Sequence, residues 1–170
     1  MITVIEGPTS QYGTQTLQSV FTVKDLKEVF AVDNYNREKG RPGEEAGYQR
    51  DPEQTRIVAL AKSIAKGLVV ATSIVVNNRD ASPKKLSFDN KGVTQINLPK
   101  KLWAIDAQHR SLAWIELYDN AAEYGVSQKN IGKIKVNCSM YWGATIEEEV
   151  LTFYDVNHFG KGIKIENRLE

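Results

Sequence analysis

Asp106, Gln108, His109 and Arg110 fall within five consecutive positions, DAQHR. No other stretch concentrates so much chemistry. A guanidinium can grip an oxyanion through two parallel N–H donors. An imidazole can donate to phosphate or move protons near neutral pH. An amide binds without charge. The carboxylate has two readings. As a helix cap, Asp106 would occupy the N–H groups that an anion needs. As a ligand to Mg²⁺ it would assist phosphate binding. The second is favoured, because little else in the turn could hold a metal.

These residues need a particular support. The apolar run Leu102–Ile105 precedes them, and a helix-periodic segment follows, with Ala113, Leu117, Ala121 and Tyr124 in one stripe and Trp114 and Tyr118 beside it. The pattern predicts a buried strand, a short turn, and a helix to about Tyr124 ended by Gly125. A helix starting there presents unpaired N–H groups and the positive end of its dipole, a natural phosphate site. The same spacing also suits a plain fold junction, with Asp106 as cap and His109 a packed imidazole. Rival chemistries lack their residues. There is no GxxxxGK[ST], no GxGxxG and no GxSxG, and two histidines with one cysteine make no usual zinc site.

Around this core, Ile2–Ile5 and Thr16–Val23 read as strands, and Val23–Val32 as a short helix. Residues 33–49 read as a polar surface loop or a flap near a ligand. Asp51–Lys66 reads as a helix, capped by Asp51, with Pro52 in its first turn, Gln54 completing a capping box and Gly67 as its stop. Leu68–Val76 reads as a strand. Leu86–Phe88 and Val93–Ile96, around the turn Asp89–Gly92, suggest a peripheral hairpin. Lys133–Tyr141 alternates strictly, which points Cys138 into the core. Thr145–Asn157 reads as a last helix, with Thr145 and Glu148 as a capping box, Ile146, Val150, Phe153 and Asn157 on one face, and Glu147–Glu149 solvated.

The whole chain sets bounds. At 170 residues, with 41% apolar and 25% charged residues, it fits one domain with its own core. A net charge of +1 confines any nucleic-acid contact to a local patch. Arg50, Arg79, Lys84, Lys85, Lys100 and Lys101 could form one. One cysteine suits a reducing compartment, and no apolar run reaches 18 residues, so a cytoplasmic protein without a membrane span is expected.

Asp106–Arg110 resembles the signature of the DGQHR-domain family, within the ParB/sulfiredoxin-like superfamily, with Ala107 where the family carries glycine. Tyr48–Val76 is similar to the first ParB box, Leu102–Tyr118 to the second, and Lys133–Lys161 to the strand and helix that follow. The best-matched region is residues 47–161, and residues 1–46 add the N-terminal strands and flap. The resemblance implies a small mixed-sheet α/β fold with packed helices and a peripheral hairpin, binding of a nucleoside triphosphate of the ATP kind with Mg²⁺, and its hydrolysis in a DNA-modification or DNA-processing system. It gives Gln108, His109 and Arg110 to the phosphates and Asp106 to a metal or catalytic water, making Asp106 and His109 the catalytic pair. Arg50 and Asn157 would face the same pocket. It allows two alternatives: a DNA-binding regulator, or a nucleotide-gated homodimer switch. Partners would then include DNA and other proteins of a DNA-modification cluster. A positive φ at position 107 would strain an alanine.

Overall fold

Period-two alternation lays down the sheet. β1 (Ile2–Thr9) and β2 (Gln15–Thr22) pair antiparallel, and β7 (Lys135–Trp142) buries Val136, Cys138 and Met140 as its alternation requires. The computed structural model describes residues 1–34, 48–68, 73–81 and 85–159, with 158 and 159 in backbone only. Most of the flap, the start of the Leu68–Val76 strand, Lys84 and the tail after 159 lie outside these residues.

The remaining strands among the described residues are β3 (Phe30–Ala31), β4 (Ile74–Asn78), β5 (Val93–Ile96) and β6 (Leu102–Asp106). The seven form one mixed sheet in the order β3-β6-β4-β7-β2-β1-β5. Helices α1 (Val23–Val29), α2 (Gln54–Ala65), α3 (Gln108–Asp119) and α4 (Gln128–Gly132) share one core with the sheet. Leu26, Ile57, Ala61, Trp114, Leu117 and Ile131 meet Phe21, Val76, Leu102 and Met140 there. Burial pushes the Cys138 thiol well up, as befits a core side chain. The last helix, α5 (Ile146–Phe159), lies against β6. The result is a mixed α/β fold. Among the described residues, no helix is long and apolar enough to cross a membrane.

Local expectations fail where tertiary partners intervene. The first helix stops at Val29, because Phe30 and Ala31 pair with Leu102 and Trp103 of β6. The expected hairpin keeps its turn, with Asp89 Oδ1 accepting from the Lys91 and Val93 N–H groups. Its second arm, however, joins the main sheet against β1, and Leu86–Phe88 forms no strand. α3 ends at Asp119 rather than near Tyr124, although Gly125 takes a positive φ in the turns beyond. α4 was not expected at all. The Thr145–Glu148 capping box is present, each side chain accepting from the other's N–H at 3.2 and 2.7 Å.

The largest departure is Glu149. Expected in solvent, it is fully buried. Arg79 donates to both of its carboxylate oxygens, from Nε at 2.7 Å and from an Nη at 2.6 Å. Asn77 Nδ2 donates to it at 2.6 Å, and the Tyr48 hydroxyl at 3.2 Å. Arg79 also bonds Asp33 at 2.6 Å and stacks 4.2 Å from the Trp103 ring centroid. Burial alone would lower the Arg79 pKa, but the bonds to Glu149 and Asp33 outweigh it and hold the guanidinium charged. Arg79 is therefore no surface cation for DNA. Val76 faces the main core, so its neighbour Asn77 points to the other face, where α5 docks.

Removing the arginine strands the fully buried carboxylate, whereas Arg79 without Glu149 would keep Asp33. Arg79→Met is expected to cost about 3–5 kcal/mol, measured by urea unfolding. Adding Glu149→Leu should bring the double change below the sum of the two single changes, because it removes the stranded charge. Strict additivity would show that the pair does not act as a unit.

Candidate functional site

The turn between β6 and α3 is strained. Ala107 sits at φ 67°, ψ 28°, the only positive φ outside glycine among the described residues. The left-handed region crowds a Cβ against the following carbonyl. Alanine occupies the N-cap position of α3 and, with no polar side-chain atom, makes no cap hydrogen bond to it. Asp106 is thus not the cap. It ends β6 and lines the adjoining cleft. The first N–H groups of a helix have no intrahelical acceptors, so the start of α3 keeps its donor character.

That helix start opens into a cleft of about 470 Å³ lined by the turn, α2 and α5. The structure brings Asp106, Gln108, His109, Arg110 and Asn157 together in its wall. Arg50 is exposed and does not line it. Only its backbone carbonyl approaches, 3.5 Å from Gln108 Nε2. An Nη of Arg110 donates to the Ser73 carbonyl at 3.2 Å. Asn157 donates to the Phe153 carbonyl one turn back, at 2.7 Å.

His109 has acquired a structural task. Its Nε2 accepts the Glu53 N–H at 3.2 Å, at the N-terminus of α2. Glu53, not Asp51, is the N-cap residue there, and no side chain of its own caps the helix. Asp51 precedes a proline and is held out of helical geometry. The expected capping box is absent and α2 begins at Gln54, while Gly67 provides the expected left-handed stop at φ +84°. An accepting Nε2 carries no proton, so the ring is neutral with its proton on Nδ1. Burial, then the positive charge of Arg56, lowers the His109 pKa, with Glu53 opposing.

Two further side chains, Arg56 and Gln49, line the cleft without belonging to the motif. Arg56 stands in the first turn of α2, indistinguishable in sequence from a solvated helix arginine. Gln49, 1% exposed, reaches β6 at a bulge. Val75 pairs with Asp106 and Val76 with Ala104, leaving Ile105 as the extra residue. Gln49 Nε2 donates to the Ala104 and Ile105 carbonyls at 2.6 and 3.1 Å, and the Tyr48 hydroxyl joins at Ala104. A bulge shows as nothing in a sequence, but Gln49 beside Tyr48 and Arg50 is the one polar cluster that could have pointed to it.

Compared with known proteins, the chain matches no protein-family profile, no curated protein and no solved structure. The likeness to the DGQHR family therefore rests on the quoted residues.

Two measurements test the turn. Glycine removes the left-handed penalty of roughly 1–2 kcal/mol but adds unfolded-state freedom worth about 0.4–1 kcal/mol. Ala107→Gly should therefore stabilise by about 0.5–1 kcal/mol and raise Tm by roughly 2–3 °C. A lower Tm would mean that the turn is not strained. For His109, a pKa lowered by folding means that the unfolded state takes up the proton first. The contribution of the neutral ring is present above the ordinary histidine range near 6.5 and is lost as pH falls below it. Denaturation between pH 7.5 and 5.0 should show a loss of stability that is smaller in His109→Gln.

Proposed function

We propose that this chain binds a nucleoside triphosphate, with the phosphates at the start of α3 and the rest of the molecule along the cleft. One observation carries the reading: a helix N-terminus whose N-cap residue, Ala107, supplies no side-chain bond opens into a cleft of about 470 Å³ that Arg56 and Arg110 also line. The volume suits a ligand of nucleotide size. Backbone N–H groups and two guanidinium forks are the chemistry that holds phosphate oxygens. The resemblance to the DGQHR family favours an ATP-like ligand and service to a DNA-modification or DNA-processing system.

Mg²⁺ fits this arrangement on limited terms. Among the described residues, no three His, Cys, Asp or Glu side chains converge. Asp106 would hold the ion alone, with phosphate oxygens and water completing its shell, as Mg²⁺ often accepts. When bound, it would neutralise phosphate charge. Hydrolysis would need a group to orient water, and the residues of the turn divide unevenly for that task. Asp106 lies on the cleft wall, whereas His109 already spends Nε2 on α2. Asp106 is accordingly the residue to test for turnover, and His109 for the placement of α2 against the turn.

Backbone phosphates of DNA could use the same helix start, but the cation set expected for DNA loses Arg79 to the buried pair with Glu149. A nucleotide-gated homodimer is a third outcome, read by mass in solution.

ATP, CTP and GTP, with and without Mg²⁺, should be screened by thermal shift. A nucleotide at a hundred times its Kd should stabilise by about 2.7 kcal/mol. Arg110→Ala and Arg56→Ala should each weaken binding about tenfold or more, the usual worth of a charge-assisted hydrogen bond. Phosphate release, and its loss in Asp106→Asn, tests hydrolysis. No shift with any nucleotide would overturn the reading.

A further inference from the structure

Two side chains of the cleft wall carry buried amide oxygens that no donor among the described residues satisfies. Gln49 Oε1 and Gln108 Oε1 both lack a donor among the described residues, and both side chains line the cleft. The orientation of the Gln49 amide is not arbitrary. Its nitrogen faces the Ala104 and Ile105 carbonyls at 2.6 and 3.1 Å. Turned over, the oxygen would meet two acceptors, so the hydrogen-bonding pattern assigns the nitrogen there and the oxygen away from β6. Gln108 directs its nitrogen toward the Arg50 carbonyl, and its oxygen is left over in the same way. Buried acceptors without donors are rare in folded proteins and costly. Two in one cleft, beside a helix start and two arginines, describe the complement of a ligand.

We infer that this ligand is an anion carrying neutral N–H or O–H donors, which Gln49 Oε1 and Gln108 Oε1 accept. The inference rests on the nucleotide reading and sharpens it. The helix start and the arginines hold phosphate, which has no such donors when ionised. The glutamine oxygens take the nucleoside part, through its ribose hydroxyls or the amino group of its base. Gln49 thereby becomes a specificity residue for the nucleoside rather than a mere brace of β6. A site built to accept such donors discriminates against analogues that lack them, because the buried oxygens then stay unpaired.

The test compares affinities within each protein, so that general damage cancels. Isothermal titration with ATP, inorganic tripolyphosphate, 2′,3′-dideoxy-ATP and purine riboside triphosphate would be run on the wild type, Gln49→Met and Gln108→Met. The wild type should bind ATP about tenfold or more tighter than tripolyphosphate. One or both donor-stripped analogues should lose that margin, the dideoxy form if ribose is the donor and the desamino form if the base is. Each methionine variant should narrow the ATP-to-tripolyphosphate ratio about tenfold. If Gln49→Met fails to fold, Gln108→Met still decides. Equal affinity for ATP and both stripped analogues, or an unchanged ratio in Gln108→Met, overturns the inference and leaves phosphate binding standing. Failure of every ligand, tripolyphosphate included, overturns the nucleotide reading as well.

Discussion

The ion pair between Arg79 and the buried Glu149 is the constraint on which the rest depends. A carboxylate leaves water, at a desolvation cost that only good geometry offsets. Here the carboxylate takes two bonds from the guanidinium and one each from Asn77 and Tyr48. Those partners come from β4, the turn just after it and the segment at Tyr48, and Glu149 itself comes from α5. One carboxylate therefore fixes how the last helix docks, and Asp33 bonds the same arginine. Tyr48, oriented there, places Gln49 against the bulge of β6. The cleft is assembled one residue away from this pair.

α5 is consequently turned relative to its hydropathy. Glu149 and Thr152 are buried, while Ile146, Val150, Leu151, Tyr154 and Val156 are exposed. A face chosen by apolar spacing points to solvent because the Arg79 guanidinium requires the Glu149 carboxylate on the opposite side. Phe153 is the apolar side chain that follows the polar face inward, meeting the Tyr48 ring edge-on at 5.6 Å and lining the cleft.

The strain of Ala107 fits the same scheme. A left-handed residue between β6 and α3 aims the helix start into the cleft, and alanine bears that geometry without offering a cap. His109, from the first turn of α3, then accepts an N–H at the start of α2. Two helices are thus joined at their N-termini around one cleft, and their dipoles reinforce each other's positive ends there.

The strand–turn–helix of residues 102–119, the strict alternation of β7, the buried place of Cys138 and the box at Thr145 were all legible in the sequence. Each depends on neighbours a few residues apart, where period and capping chemistry act. The convergence of Asp106, Gln108, His109 and Arg110 was legible for the same reason, since one turn holds them. The sequence could not show that Arg56 and Gln49 join them, that Ile105 is bulged, or that Glu149 is buried. Those outcomes depend on which strand lies beside β6 and which cation waits under α5, contacts between residues 50 to 70 positions apart. Local periodicity carries no information about such pairings. Only the folded chain, satisfying its buried charges and carbonyls all at once, decides them.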